Sequence, residues 1–286
     1  MLDGRAPAAQ DPADDLGAMS ASASFPAAGG AGATGSRAPV PEEVRGPPVE
    51  DRGIVRHDEV RAQQWRVRGI SKVVHGVEVG SADLDGTVVV GGPLSADRLT
   101  AHGALEVRGP LTVEGALLVR GALEAGAFVR AGEATLDGPV RSAGEVVTEG
   151  RLRTRRSLQA PSVRGGSVEL RGSVRIPGPV VATSFEADLS GDSSLGSVQC
   201  RTFRLRGPAP NVVRRTLGRD AVVTVERIEA ETVRLEGARV GFVRAAEVVL
   251  GRNAHVGALE GKVSRAHPSS RVGPESWSRP PRGLSR

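Results

Sequence analysis

Residues 104–121 read ALEVRGPLTVEGALLVRG, one six-residue unit written three times, with an aliphatic residue at its second and fourth places and Gly at its sixth. Side chains two apart share one face of a strand. Leu105 with Val107, Leu111 with Val113, and Leu117 with Val119 are therefore three short strands, each offering one apolar face and each followed by a glycine turn. Strands this short cannot sustain a long hairpin ladder, but three of them with a turn at each glycine close into a triangular coil. Stacked coils pair every strand in parallel with its equivalent one period away, and the inward Leu and Val columns fill a narrow axial core. The stretch predicts an all-β chain built as a three-sided parallel β-helix, a solenoid.

The longer period runs outward from there. Gly69, Gly86, Gly103, Gly121 and Gly138 lie 17, 17, 18 and 17 residues apart, and Gly172 and Gly207 continue the series. The two absent members fall at Arg155 or Arg156 and near Ser190. The residue before each turn glycine, from Arg68 through Asp85, His102, Arg120, Asp137, Arg155 and Arg171 to Arg206, should form one exposed ladder, with Arg68 beside Asp85 and Arg120 beside Asp137. Ser142, Thr148 and Thr154 take inward positions where other coils carry aliphatic residues. A buried hydroxyl without a partner costs ~1–3 kcal/mol, so this coil is expected to be the softest.

These signals divide the chain into five. Residues 1–53, rich in Ala, Gly and Pro with a net charge of −4, read as a disordered acidic arm. Residues 54–207 are the main β-helix of about eight coils of 17–18 residues. Residues 208–224 carry two prolines and a broken rhythm and form an irregular connection. Residues 225–273 resume the alternation as a second β-helical module, with a shorter spacing of 15 between Leu235 and Leu250. Residues 274–286 are a disordered tail.

Aromatic content of 2 % with no Tyr suits a thin solenoid better than a thick globular core. Neither a secretory h-region nor an 18-residue apolar run is present, which predicts a cytoplasmic chain. The lone Cys200 excludes an intramolecular disulfide and alternates with Val198, so it points into the core as an inert thiol.

The run GISKVVHGVEVGSADLDGTVVVGGPLSADRLTAHG at residues 69–103 resembles the recurrent Gly-bounded strands of the bactofilins, bacterial polymer-forming cytoskeletal proteins. RIEAETVRLEGARVGFVRAAEVVLGRNAHVGALEGKV at residues 227–263 is similar to the second module of a two-module bactofilin-like group, and the resemblance spans roughly residues 66–273. It implies a right-handed, three-sided β-helix that joins end to end into nonpolar filaments without nucleotide, often beneath the inner membrane. Many bactofilins carry an aromatic and basic N-terminal membrane segment. The opening MLDGRAPAAQDPADDL is acidic and lacks aromatics, so this arm is not expected to bind a membrane itself.

Catalytic patterns are sparse. The alternative function is a hexapeptide-repeat acyltransferase, whose left-handed β-helix also has an 18-residue coil and uses a His as general base. Of His57, His75, His102, His255 and His267, none sits at a sequence spacing that singles out a carboxylate partner. The strands carry two aliphatic residues where transferase hexads commonly set one against a small residue, and the long substrate-covering loop is missing. One Cys with scattered His does not make a zinc motif, and no Lys-Ser/Thr follows Gly237 and Gly241. The expectation is a non-enzyme with no cofactor and no metal.

The basic excess, +9 over residues 54–286, is the remaining functional signal. In RLRTRR, alternation puts Arg151, Arg153 and Arg155 on one outer face, with Arg201, Arg204, Arg206, Arg214 and Arg215 adding to it. Such a face could hold an anionic membrane surface or another polyanion, and a third reading is a monomeric basic rod that does only this. Both ends of the solenoid lack a capping helix. Trp65 and Val67 at one end, and Phe242 and Val263 at the other, are the candidate polymerisation interface, with the protein itself as partner and client proteins on its sides.

Overall fold

Valine, leucine and isoleucine at alternate positions leave each strand with one apolar and one polar face, and the chain hides the apolar faces by coiling. The computed structural model describes residues 46–208 and 222–274. The proximal strands are β1 (Val49–His57), β2 (Val60–Val73), β3 (Val77–Val90), β4 (Leu94–Val107), β5 (Leu111–Ala125) and β6 (Val129–Leu136). Shorter ones follow: β7 (Val140–Ser142), β8 (Val146–Thr148), β9 (Arg151–Thr154) and β10 (Ser157–Gln159). Next come β11 (Val163–Ile176), β12 (Val180–Leu189), β13 (Ser193–Gln199) and β14 (Thr202–Arg206). The distal strands are β15 (Val223–Glu236), β16 (Arg239–Leu250), β17 (His255–Ala266) and β18 (Arg271–Val272). All are parallel to their neighbours, the described residues contain no helix, and the whole is a β-solenoid of about 12 turns.

The register lays equivalent residues in columns. On one side Trp65, Ala82, Leu99, Leu117, Ala134, Leu152, Val168, Phe185, Phe203, Val233, Val248 and Val263 follow one another, coil upon coil. Two further sides carry their own inward pairs, such as Ser71 with Val73 and Val77 with Val79, so the core is a three-sided stack. Phe185 and Phe203 fill adjacent coils with parallel rings 5.0 Å apart.

One corner demands glycine. Gly69, Gly86 and Gly103 have φ between 125° and 128°, and a Cβ there would lie 2.0–2.3 Å from the carbonyl oxygen of the glycine one coil before. The columns place Arg156 and Leu189 in this series where no glycine occurs: Gly172 stands opposite Leu189, one residue before the expected Ser190, and Ser173 N–H donates to Arg156 O just as Ser190 N–H donates to Gly172 O.

Two boundaries differ from the sequence reading. The solenoid starts at Val49 and not at residue 54, because β1 pairs along its whole length with β2, from Val49 against Trp65 to His57 against Val73. The second module is not separate either. Strand β15 pairs with β13 from Ser193 against Val223 and with β14 from Thr202 against Thr232, so the ladder crosses the connection unbroken with a local period of 30. The chain leaves the ladder after Arg206 and rejoins it at Val223. Residues 1–45 and 275–286, and most of the 208–224 connection, lie outside the described residues.

Candidate functional site

The proximal coil puts a carboxylate inside the core. Asp51 stands in the inward column above Val67, 4 % exposed, where every other described coil out to Leu136 has an aliphatic residue. Its Oδ2 accepts from Trp65 Nε1–H at 3.1 Å and from Ser71 Oγ–H at 2.9 Å. His57, in the inward column above Val73, sets its Nε2 2.8 and 3.0 Å from the two carboxylate oxygens. The spacing of the histidines did not reveal this partner. The signal was present in phase, since Gly53 precedes Gly69 by 16 residues and so places Asp51 and His57 at inward positions. Nucleophilic catalysis would need the histidine between acid and serine. Here the acid is the hub that both contact, an arrangement that holds the coil together and activates no nucleophile.

The candidate interface residues separate. Trp65 and Val67 are 0 % and 1 % exposed, because β1 covers them with Val49 and Asp51, so they are core residues and not an end face. Phe242 also leaves the set: it lies in the outward column between Arg227 and Ala258, half-buried, with the Arg227 guanidinium 4.9 Å from its ring centroid. Val263 remains. It is 40 % exposed in an inward column, with half-buried Leu259 beside it and Val272 54 % exposed. Among the described residues β17 pairs with β18 only at His255 and Val256. Among the described residues, the distal coil from Leu259 onward therefore presents exposed apolar side chains at Val263 and Val272 and a strand edge without a partner.

The arginine face is largely neutralised. Arg151 and Arg153 share Glu169, each Nε 3.6 Å from a different carboxylate oxygen, and Arg155 Nε lies 3.3 Å from Asp137. Arg153 Nε and Asp137 Oδ1 fall outside hydrogen-bond geometry, so their attraction is coulombic only. Arg201, Arg204 and Arg206 face Glu231, Glu186 and Glu236 at 3.5–3.8 Å. Arg214 and Arg215 lie outside the described residues. The ladder before the turn glycines holds its register at Arg68 and Asp85, but Asp137 takes Arg155 of the next coil and not Arg120 as its ion pair.

The remaining features are small. A shallow groove of about 340 Å³ crosses five coils, lined by Glu124, Arg141, Gln159, Arg175 and Asp192 among others. Cys200 is half-buried against the core, and burial pushes its thiol up to about 12, which leaves little thiolate at neutral pH. His255 stacks between Arg239 and Arg271, and burial followed by those two charges holds its pKa below the ordinary value. His75 is exposed at a turn, His102 is half-buried at a ladder position, and exposed His267 bonds Ser269 and Ser270. No group of three or more His, Cys, Asp or Glu among the described residues could hold a metal ion. Among the same residues no helix is long and apolar enough to cross a membrane. No family model, curated protein or solved structure matches the chain.

Proposed function

We propose that the chain is a non-enzymatic scaffold of the bactofilin type, a β-helical rod that assembles end to end without nucleotide and holds other proteins along its sides. The observation that carries the reading is the distal coil. A solenoid satisfies the backbone of each internal coil through its neighbours, and a monomeric one covers its last coil with a helix, a charged strand or a folded cap. Among the described residues half-buried Leu259 and exposed Val263 and Val272 lie at or near the end of their inward columns, beside a strand edge with no partner there. A second copy presenting the same end buries both in a two-fold contact, since such an interface is self-complementary. The proximal end, closed by Asp51 and His57, makes the weaker junction, so pairs of rods precede longer filaments.

Electron microscopy and sedimentation of the purified chain without nucleotide test this. Rods or filaments are expected, and Val263→Asp should weaken association by about ten-fold or more while the circular dichroism stays β-rich. Sedimentation as a monomer across wide ranges of concentration and salt overturns the reading.

A further inference from the structure

A second surface is built into the first two coils. Register pairs Arg52 with Arg68, Ile54 with Ile70, and Arg56 with Lys72, so cation, isoleucine, cation is written twice, one row above the other. All six side chains are exposed, Ile54 by 84 % and Ile70 by 47 %. Folding does not ask for this arrangement. Like charges directly opposite each other on neighbouring strands repel, and an isoleucine open to water contributes nothing to the core. Several arginines elsewhere on the rod face acids, as at Arg151, Arg153 and Glu169 or at Arg204 and Glu186, and in the next coil Arg68 has Asp85 in register. In this patch Arg52 has Glu50 at 3.5 Å, while Arg56, Arg68 and Lys72 form no ion pair among the described residues.

The shape adds to the chemistry. Ile54 and Ile70 directly follow Gly53 and Gly69, whose positive φ turns the chain through a corner of the triangular coil. The isoleucines thus stand on a convex edge of the prism with two cations on either flank. A convex edge cannot enclose a small ligand, but it can lie on a flat one.

We propose that this corner is a docking edge for an anionic phospholipid bilayer, with Ile54 and Ile70 entering the headgroup boundary and Arg52, Arg56, Arg68 and Lys72 on lipid phosphates. Juxtaposed cations gain from an anionic leaflet, and exposed aliphatic side chains gain from the acyl boundary. A nucleic acid would satisfy only the cations and leave both isoleucines in water. The inference stands apart from end-to-end assembly, because the corner faces sideways at the opposite end from Val263.

The test is co-sedimentation of the full chain with phosphatidylcholine vesicles carrying about 30 % phosphatidylglycerol, at low and at physiological salt. The Val263→Asp variant runs in parallel, so that loss of assembly and loss of docking are read separately. Binding is expected to the anionic vesicles and not to pure phosphatidylcholine. Arg56→Ser with Lys72→Ser should weaken it about ten-fold, and Ile54→Ser by about five-fold, with thermal transitions unchanged. Absence of binding at low salt overturns the proposal. So does binding that either set of changes leaves intact. Duplex DNA that competes for the double-serine site while Ile54→Ser has no effect overturns it in favour of a nucleic-acid edge.

Discussion

At the proximal end of the rod the last inward positions belong to Asp51 and His57, and at the distal end to Leu259, Val263 and Val272. Both ends interrupt the same stack of columns, and neither has a helix over it among the described residues. The proximal coil terminates the apolar core from within: one carboxylate collects Trp65 Nε1–H, Ser71 Oγ–H and His57 Nε2, leaving Trp65 fully buried beneath it. The distal coil leaves the columns open. The difference teaches that a single satisfied polar residue in the right column can close the end of a β-helix core.

Removing the closure should have the largest effect. Asp51→Ala leaves the Trp65 indole N–H and the Ser71 hydroxyl buried without acceptors, at about 1–3 kcal/mol each. Hydrogen exchange of the β1 and β2 amides should accelerate by about two powers of ten while the central coils keep their protection, because solenoid stability is local. Unchanged exchange would mean that the carboxylate is not what holds the first coil.

A control lies in the same column. Thr154 occupies the inward series of Asp51, between Leu136 and Leu170, with 0 % exposure, and its Oγ1 has no hydrogen-bond partner. Thr148 Oγ1 is likewise unpaired, whereas Ser142 Oγ lies 2.8 Å from Gly144 O and 3.0 Å from Ala127 O. Thr154→Val keeps the shape and deletes the unpaired hydroxyl, so it should stabilise the coil by about 1 kcal/mol in denaturant unfolding. A destabilised variant would show that Thr154 is as well satisfied as Asp51, and the contrast between a closed and a soft polar layer would fail.

The smallest effect belongs to the distal end. The pKa of His255 is depressed in the folded coil by burial and by Arg239 and Arg271, so the unfolded chain binds its proton more readily. The stability linked to this group is complete above the unfolded pKa of about 6.5 and declines as pH falls toward the lower folded value. Exchange at β17, corrected for its intrinsic rate, should be modestly faster near about pH 5.5 than near about pH 7.5, and His255→Gln should remove the difference. A pH response that survives the substitution assigns it to another group.

The hexads of residues 104–121 were enough to derive the strands, the inward columns and the glycine corner, because period and steric demand are local and repeat in every coil. Ser142, Thr148 and Thr154 were legible as inward residues for the same reason. The proximal coil was not, since it follows a Gly- and Pro-rich stretch and its inward positions hold Asp51 and His57, which hydrophobic periodicity counts against a strand. Arginine pairing was also hidden: Arg151 and Arg153 reach Glu169 from another coil, a neighbour only once the chain has turned.

The sequence by itself determined a three-sided parallel β-solenoid, because alternation of aliphatic residues and the glycine period act within a few residues of one another. Tertiary structure decided which residues end the core, which cations keep their charge unanswered and which strand edge stays open. Those depend on what lies one coil above or below, 15 to 30 residues away in the chain and about 4.8 Å away in space.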